Sequence, residues 1–157
     1  MIKTKVKIGD HIARQGELRL GCCAVLLDPT QSSVLLTRRS DNGLWCLPGG
    51  RVDSGESVTE SIIREVLEET SLLVRVVRLT GVYSDPNQLV IYPDGNKAHV
   101  VVLNFLVEYV SGEIHLSNET TDIRYFSLDQ AVHMDLFHNH AQHLRDALSG
   151  KETTFIC

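Results

Sequence analysis

No apolar run in this sequence approaches the roughly 20 residues that a membrane-spanning helix needs, so an anchor of that kind is not expected. Runs of lysine and arginine are missing too, and the net charge is −5. A chain of that sign suits neither the backbone of a nucleic-acid polymer nor an anionic membrane surface. If it handles phosphates, it should do so one small molecule at a time, with a metal supplying the positive charge. The N-terminal MIKTKVKIGD has the lysines of a signal peptide but no apolar segment behind them. There is no C-x-x-C pair among Cys22, Cys23, Cys46 and Cys157, and the adjacent Cys22 and Cys23 would point to opposite faces of a strand. This is the usage of a reduced, cytoplasmic protein in which at least some thiols act as small core hydrophobes. No repeat, low-complexity tract or linker divides the 157 residues, of which 43% are hydrophobic. One domain over 1–157 with a full core is expected.

What is present is a set of short strands around one long helix. Ile2, Thr4, Val6 and Ile8 alternate with Lys3, Lys5 and Lys7. This predicts a half-buried extra strand within residues 1–10, its lysine row suited to a sheet edge of this chain or, in a homodimer, of a second subunit. Strands are expected over 18–27, 33–38, 44–47, 73–84, 98–110 and 123–127. Asp41-Asn42-Gly43, Leu47-Pro48-Gly49-Gly50, Pro93-Asp94-Gly95-Asn96 and Ser111-Gly112 read as turns. Ser57 and Glu60 form a capping box at the start of a helix whose core face is Val58, Ile62 and Val66. Two short amphipathic helices, about 128–134 and 138–148, close the chain. The long helix between hairpin-linked strands predicts an α/β (α+β) sandwich, a mixed β-sheet flanked by helices.

The end of the long helix is unusual. At about 100° per residue, Glu65, Glu68, Glu69 and Ser61 fall within an arc of roughly 100°, beside the apolar face. Arg64 stands four residues before Glu68, a spacing that lets it orient that carboxylate. A solvated acidic face is the plain alternative. Yet the macrodipole disfavours negative charge at a helix C-terminus, and like charges this close need an offset. Hard oxygen donors in such number suit Mg²⁺ or Mn²⁺ shared with substrate phosphates.

The stretch from Gly50 to Leu72 resembles the signature of the Nudix hydrolases. That pattern is Gly, five residues, Glu, seven residues, Arg-Glu, an aliphatic, any residue, Glu-Glu, any residue, Gly and an aliphatic. Gly50, Glu56, Arg64-Glu65, Val66, Glu68-Glu69 and Leu72 stand in register, with Trp45 and Leu47-Pro48-Gly49 leading in as in many members. Ser71 replaces the last glycine, which puts the helix exit in question but removes no charge. The resemblance spans about residues 18–150.

It implies the Nudix fold and hydrolysis of a nucleoside diphosphate linked to another moiety. Glu65, Glu68, Glu69 and the Gly50 carbonyl would then be metal ligands, with Arg64 and Glu56 orienting them and Glu68 or Glu69 accepting a proton from water. Glu119 would be the further base or ligand that members take from a downstream loop. Arg38 and Arg39 are candidates for phosphate contact, at least one of them being a plain surface cation. The loop 84–96 is expected to cover the ligand, with Tyr83 and Tyr92 stacking on a base or ribose. Pro86 sits near the proline that marks ADP-ribose pyrophosphatases, which favours ADP-ribose or a related nucleotide sugar. Nucleoside triphosphate cleavage and nucleotide sensing without turnover are the alternatives. His138, His140 and His143 cluster before the last helix, and His140 and His143, at i and i+3, could share a metal, but no cysteine or carboxylate completes a familiar set, and a polar helix face is the simpler reading.

Overall fold

The computed structural model describes residues 3–157, so Met1 and Ile2 and the expectation placed on Ile2 lie outside it. In chain order the strands are β1 (Lys5–Ile8), β2 (Glu17–Leu26), β3 (Ser33–Arg39), β4 (Trp45–Cys46) and β5 (Gly49–Arg51), followed by helix α1 (Val58–Thr70). Next come β6 (Leu73–Tyr83), β7 (Gln88–Ile91), β8 (Lys97–Ser111) and β9 (Thr120–Ser127), then α2 (Leu128–Ala131), α3 (His140–Ala147) and β10 (Phe155–Ile156).

β8 is the spine of the larger sheet. It pairs in parallel with β2 along one edge. Its other edge pairs antiparallel with β7 and then with β6. β1 extends the sheet beyond β7, and β5 extends it beyond β2. The smaller sheet runs β4-β3-β9. Strand alternation sends Cys22 to one core and Cys23 to the other. Cys22, Ala24 and Leu26 pack with Ile62 and Val66 of α1. Cys23 and Val25 pack with Val34 and Leu36 of the smaller sheet and Leu144 of α3. The mixed sheet flanked by helices agrees with the sequence reading, as does burial of Cys22, Cys23 and Cys46. Among the described residues no helix is long and apolar enough to cross a membrane.

Three local readings need correction. Gly49-Gly50 is not only a turn: it opens β5, which pairs with Gly21–Cys23. At Gly49 a Cβ would overlap the Cys22 backbone, so glycine permits this pairing. The segment 84–96 is not a free loop, because β7 within it is held between β1 and β8. Of the row expected to be buried, Thr4 is buried and Val6 half-buried, but Ile8 at the end of β1 is 76% exposed, and β1 pairs with β7 of its own chain.

Helix α1 begins with the capping box and ends at Ser71, which sits at φ 65° with its N–H bonded to the Leu67 carbonyl. That left-handed exit costs a non-glycine residue about 1 kcal/mol. Ser71→Gly is therefore expected to raise Tm by about 2–4 °C with activity unchanged, which thermal unfolding would measure.

Candidate active site

The end of α1, the β4–β5 turn, the β2–β8 surface and the segment before α3 enclose a cleft of about 510 Å³. Glu65, Glu68, Glu69, Gly50 and Glu119 all reach it. Glu65 and Glu69 lie on the buried side of the helix, each 8% exposed, while Glu68 faces outward.

Arg64 binds this group together. Its Nε and Nη2 donate to Glu56 at 2.9 and 2.6 Å, and Nη1 donates to Glu65 at 2.8 Å and to Glu68 at 3.2 Å. Nη2 also donates to the Arg51 carbonyl at 3.0 Å. The planar fork spans partners on three sides, which a lysine ammonium cannot do. The Arg64 hydrogen bonds hold the Glu56 carboxyl down at about 2. Arg64→Lys is expected to lower kcat/KM by about 10–100-fold, the usual loss when groups that orient metal ligands are removed. Circular dichroism should show an intact fold.

Glu69 stands in the opposite condition. Burial, with the charges of Glu65 and Glu119 added, pushes its carboxyl up to about 8 against the Gly49 N–H and Arg39. Glu65 is also raised, by burial first, with Arg64 opposing. Two crowded carboxyls that resist ionisation are suited to a cation. The donors are all hard oxygens, and a Cβ at Gly50 would collide with the Glu65 carboxyl, so glycine leaves the Gly50 backbone against that carboxylate. Glu65, Glu68, Glu69 and the Gly50 carbonyl therefore fit a hard divalent ion.

The remaining candidates divide. Arg39 lines the cleft, with its fork on Asp41 at 2.8 and 2.7 Å and its guanidinium 4.3 Å from the Phe137 ring centre. Arg38 does not line it: the next residue on a strand faces the other way, and its Nε donates to the Gly43 carbonyl at 2.9 Å. Tyr92 lines the cleft beneath Arg19, whose guanidinium is 5.1 Å from the ring centre. Tyr83 does not. It pairs across β8 with the cleft residue Val102, but α3 covers it there. Its ring stacks on His143 at 3.8 Å and its hydroxyl donates to Asp146 at 2.8 Å. Pro86 is also outside the cleft wall, its carbonyl accepting the Ala13 N–H at 3.0 Å.

The histidines are not a polar helix face. His140 and His143 are 8% and 2% exposed and close on Cys23, a residue distant in sequence. Arg19 and Phe137 are cleft residues that sequence reasoning missed, and His138, named there only with the histidine cluster, also lines the cleft. A lone arginine inside the apolar run Leu18–Leu20 was the available signal for Arg19. Phe137 carried none, and nothing placed His138 in the cleft, because the backbone turn that presents both is not written in local propensity.

The family model described as the NUDIX domain matches residues 17–148. An ADP-ribose pyrophosphatase of Methanocaldococcus jannaschii is 31% identical over 123 residues, 76% of this chain and 68% of that protein. A nucleoside triphosphatase of Escherichia coli is 31% identical over 97 residues, 60% of this chain and 69% of that protein. The crystal structure of an ADP-ribose pyrophosphatase from Streptococcus suis superposes with a TM-score of 0.68 at 27% identity, covering 88% of this chain and 98% of that one.

Proposed function

This chain belongs to the Nudix hydrolase family, and we propose that it cleaves the pyrophosphate bond of a nucleoside diphosphate linked to another moiety, with ADP-ribose or a related nucleotide sugar favoured. The observation that carries this reading is the convergence of Glu65, Glu68, Glu69 and the Gly50 backbone on one cleft that also presents Tyr92 and Phe137. The similarity to ADP-ribose pyrophosphatases favours the substrate class.

Mg²⁺ or Mn²⁺ is the assigned cofactor, held by Glu65, Glu68, Glu69 and the Gly50 carbonyl. Such an ion neutralises phosphate charge and makes water a better nucleophile. Arg64 and Glu56 hold the carboxylates in place. Glu68, Glu69 or Glu119 accepts the proton of the attacking water. Arg39, already paired with Asp41, offers a fixed positive edge to phosphate. Arg38, Tyr83 and Pro86 stand outside the cleft wall and take no part in this assignment.

We further assign a single domain over 1–157, a cytoplasmic setting, which buried free thiols support, and a homodimer through the β1 edge. Deleting residues 1–9 without changing the mass in solution would remove the dimer.

The test of function is a hydrolysis screen with Mg²⁺ over ADP-ribose, other nucleotide sugars, CDP-alcohols, dinucleoside polyphosphates and oxidised dNTPs. AMP and ribose 5-phosphate from ADP-ribose are the expected products by mass. Nucleoside monophosphate and pyrophosphate from a triphosphate would establish the second reading, which the E. coli relative supports. A nucleotide sensor would be expected to lack some of these carboxylates, and all are present. No turnover of any compound would overturn the enzymatic reading.

A further inference from the structure

Cys23, His140 and His143 have the residue types of a soft-metal site, with ligand atoms within 4.8 Å of one another. The hydrogen bonds argue otherwise. The Leu47 N–H donates to His140 Nδ1 at 3.0 Å. Burial keeps this ring neutral, so its one proton must sit on Nε2. One ring nitrogen of His140 is thus occupied as an acceptor and the other carries a proton. Neither has a lone pair free for a metal.

The cluster instead builds a strut. Asn104 takes the Cys23 thiol on its Oδ1 at 3.0 Å and donates from Nδ2 to the His143 carbonyl at 3.2 Å. Tyr83 stacks on His143 and bonds Asp146, and Gln142 donates to the second oxygen of Asp146 at 2.7 Å. These contacts bolt α3 to β2, β6 and β8. From that fixed helix, His140 reaches across to the start of the turn Leu47-Pro48-Gly49-Gly50. Pro48 has no N–H to give, and the Gly49 N–H is committed to Glu69 at 3.3 Å. The bond from Leu47 to His140 is therefore the side-chain anchor of that turn's first residue.

The segment before α3 is also held in an unfavourable backbone form. His138 and Asn139 both sit in the left-handed region, at φ 50° and 60°. Such residues persist when surrounding contacts over-determine them. The same segment presents Phe137 and His138 to the cleft.

We propose that His140 is a positioning residue that, as a neutral Nδ1 acceptor, fixes the metal-bearing Leu47–Gly50 turn and ties it to the ligand-facing segment Phe137–His138. The proposal rests on the reading of Gly50 and Glu69 as metal ligands.

Three substitutions test it. Asn places an oxygen near the Nδ1 position, Gln places its amide near Nε2, and Phe keeps the ring without an acceptor. His140→Phe and His140→Gln are expected to raise the Mg²⁺ concentration for half-maximal activity and lower kcat by about 10-fold or more, with KM for the nucleotide changed less. His140→Asn is expected to recover most of both. A residue that only fills space would be mimicked best by Phe.

Two readouts need no turnover. In the wild-type protein, ¹⁵N NMR should find His140 protonated on Nε2. Exchange of the Leu47 amide should quicken about 10-fold in the Gln variant and stay slow in the Asn variant. A wild-type His140 protonated on Nδ1, or a Gln variant with wild-type metal dependence and Leu47 exchange, overturns the proposal. These readouts judge it even if the Phe variant fails to fold. They also judge it if the wild-type protein hydrolyses nothing, an outcome that would count against the proposed function alone.

Discussion

Glu69→Gln is expected to lower Mg²⁺-dependent hydrolysis by about 10³-fold, within the range associated with a lost proton acceptor, while leaving the fold intact. Glutamine preserves the shape at this buried position and can still accept the Gly49 N–H, which lies 3.3 Å from the carboxylate. It can never carry the negative charge that a divalent ion requires. Stability without metal should move the other way. Burial first, then Glu65 and Glu119, raises the Glu69 carboxyl from the ordinary 4.5 to about 8. A carboxyl raised on folding contributes stability that is complete below its unfolded value and disappears as pH climbs through its folded one. In EDTA, wild-type protein should lose Tm between pH 5 and pH 9 more steeply than Glu69→Gln, which has no proton to lose. Retained hydrolysis in the variant would end the assignment of Glu69 to the chemistry. Glu152→Gln, on an exposed carboxylate that does not line the cleft, is the control that should change neither measurement.

Much of this site was legible because it is written in one helix. The period of α1 alone puts Glu65 and Glu69 beside the core face. The capping box of Ser57 and Glu60 fixes where the helix starts, and so fixes the rotation of every carboxylate after it. Glu119 could be named because the family resemblance pointed to a downstream loop. The walls of the cleft were less legible, since they depend on which strands become neighbours. Tyr83 and Tyr92 look alike in sequence, each at the end of a strand. Only the placement of α3 over β6 separates the covered ring from the open one. β7 escaped notice because four residues between Asp85 and Pro93 are too short for alternation to declare itself. The histidines were misread for a related reason. A helix of eight residues with a mixed face says little about burial, and the Cys23 that meets it lies 120 residues away in the chain. The same holds for Arg38 and Arg39, where strand alternation required one of the pair to leave the cleft but could not say which.

Metal binding should release a proton, and its apparent affinity should weaken about tenfold for each pH unit below the Glu69 value of about 8. At pH 7 the Glu69 carboxyl of the metal-free protein is mostly protonated, and an ion can bind only by displacing that proton. Calorimetric titration of Mn²⁺ in two buffers of different ionisation enthalpy should therefore report close to one proton released per ion. In Glu69→Gln that release should vanish and affinity should fall, leaving a shallow pH dependence set by Glu65, whose carboxyl is also raised by burial. An unchanged release in Glu69→Gln would move the proton to another group and overturn this account. Arg64 explains why the site uses Glu69 this way. Its fork hydrogen-bonds Glu56, Glu65 and Glu68 and shares its one positive charge among them, so these three carboxylates are positioned without metal. Among the described residues the cation that acts on Glu69 is Arg39, which is committed to Asp41. The Glu69 carboxyl is thus held mostly protonated at neutral pH, and on the proposed assignment a divalent ion would have to displace that proton to complete the site.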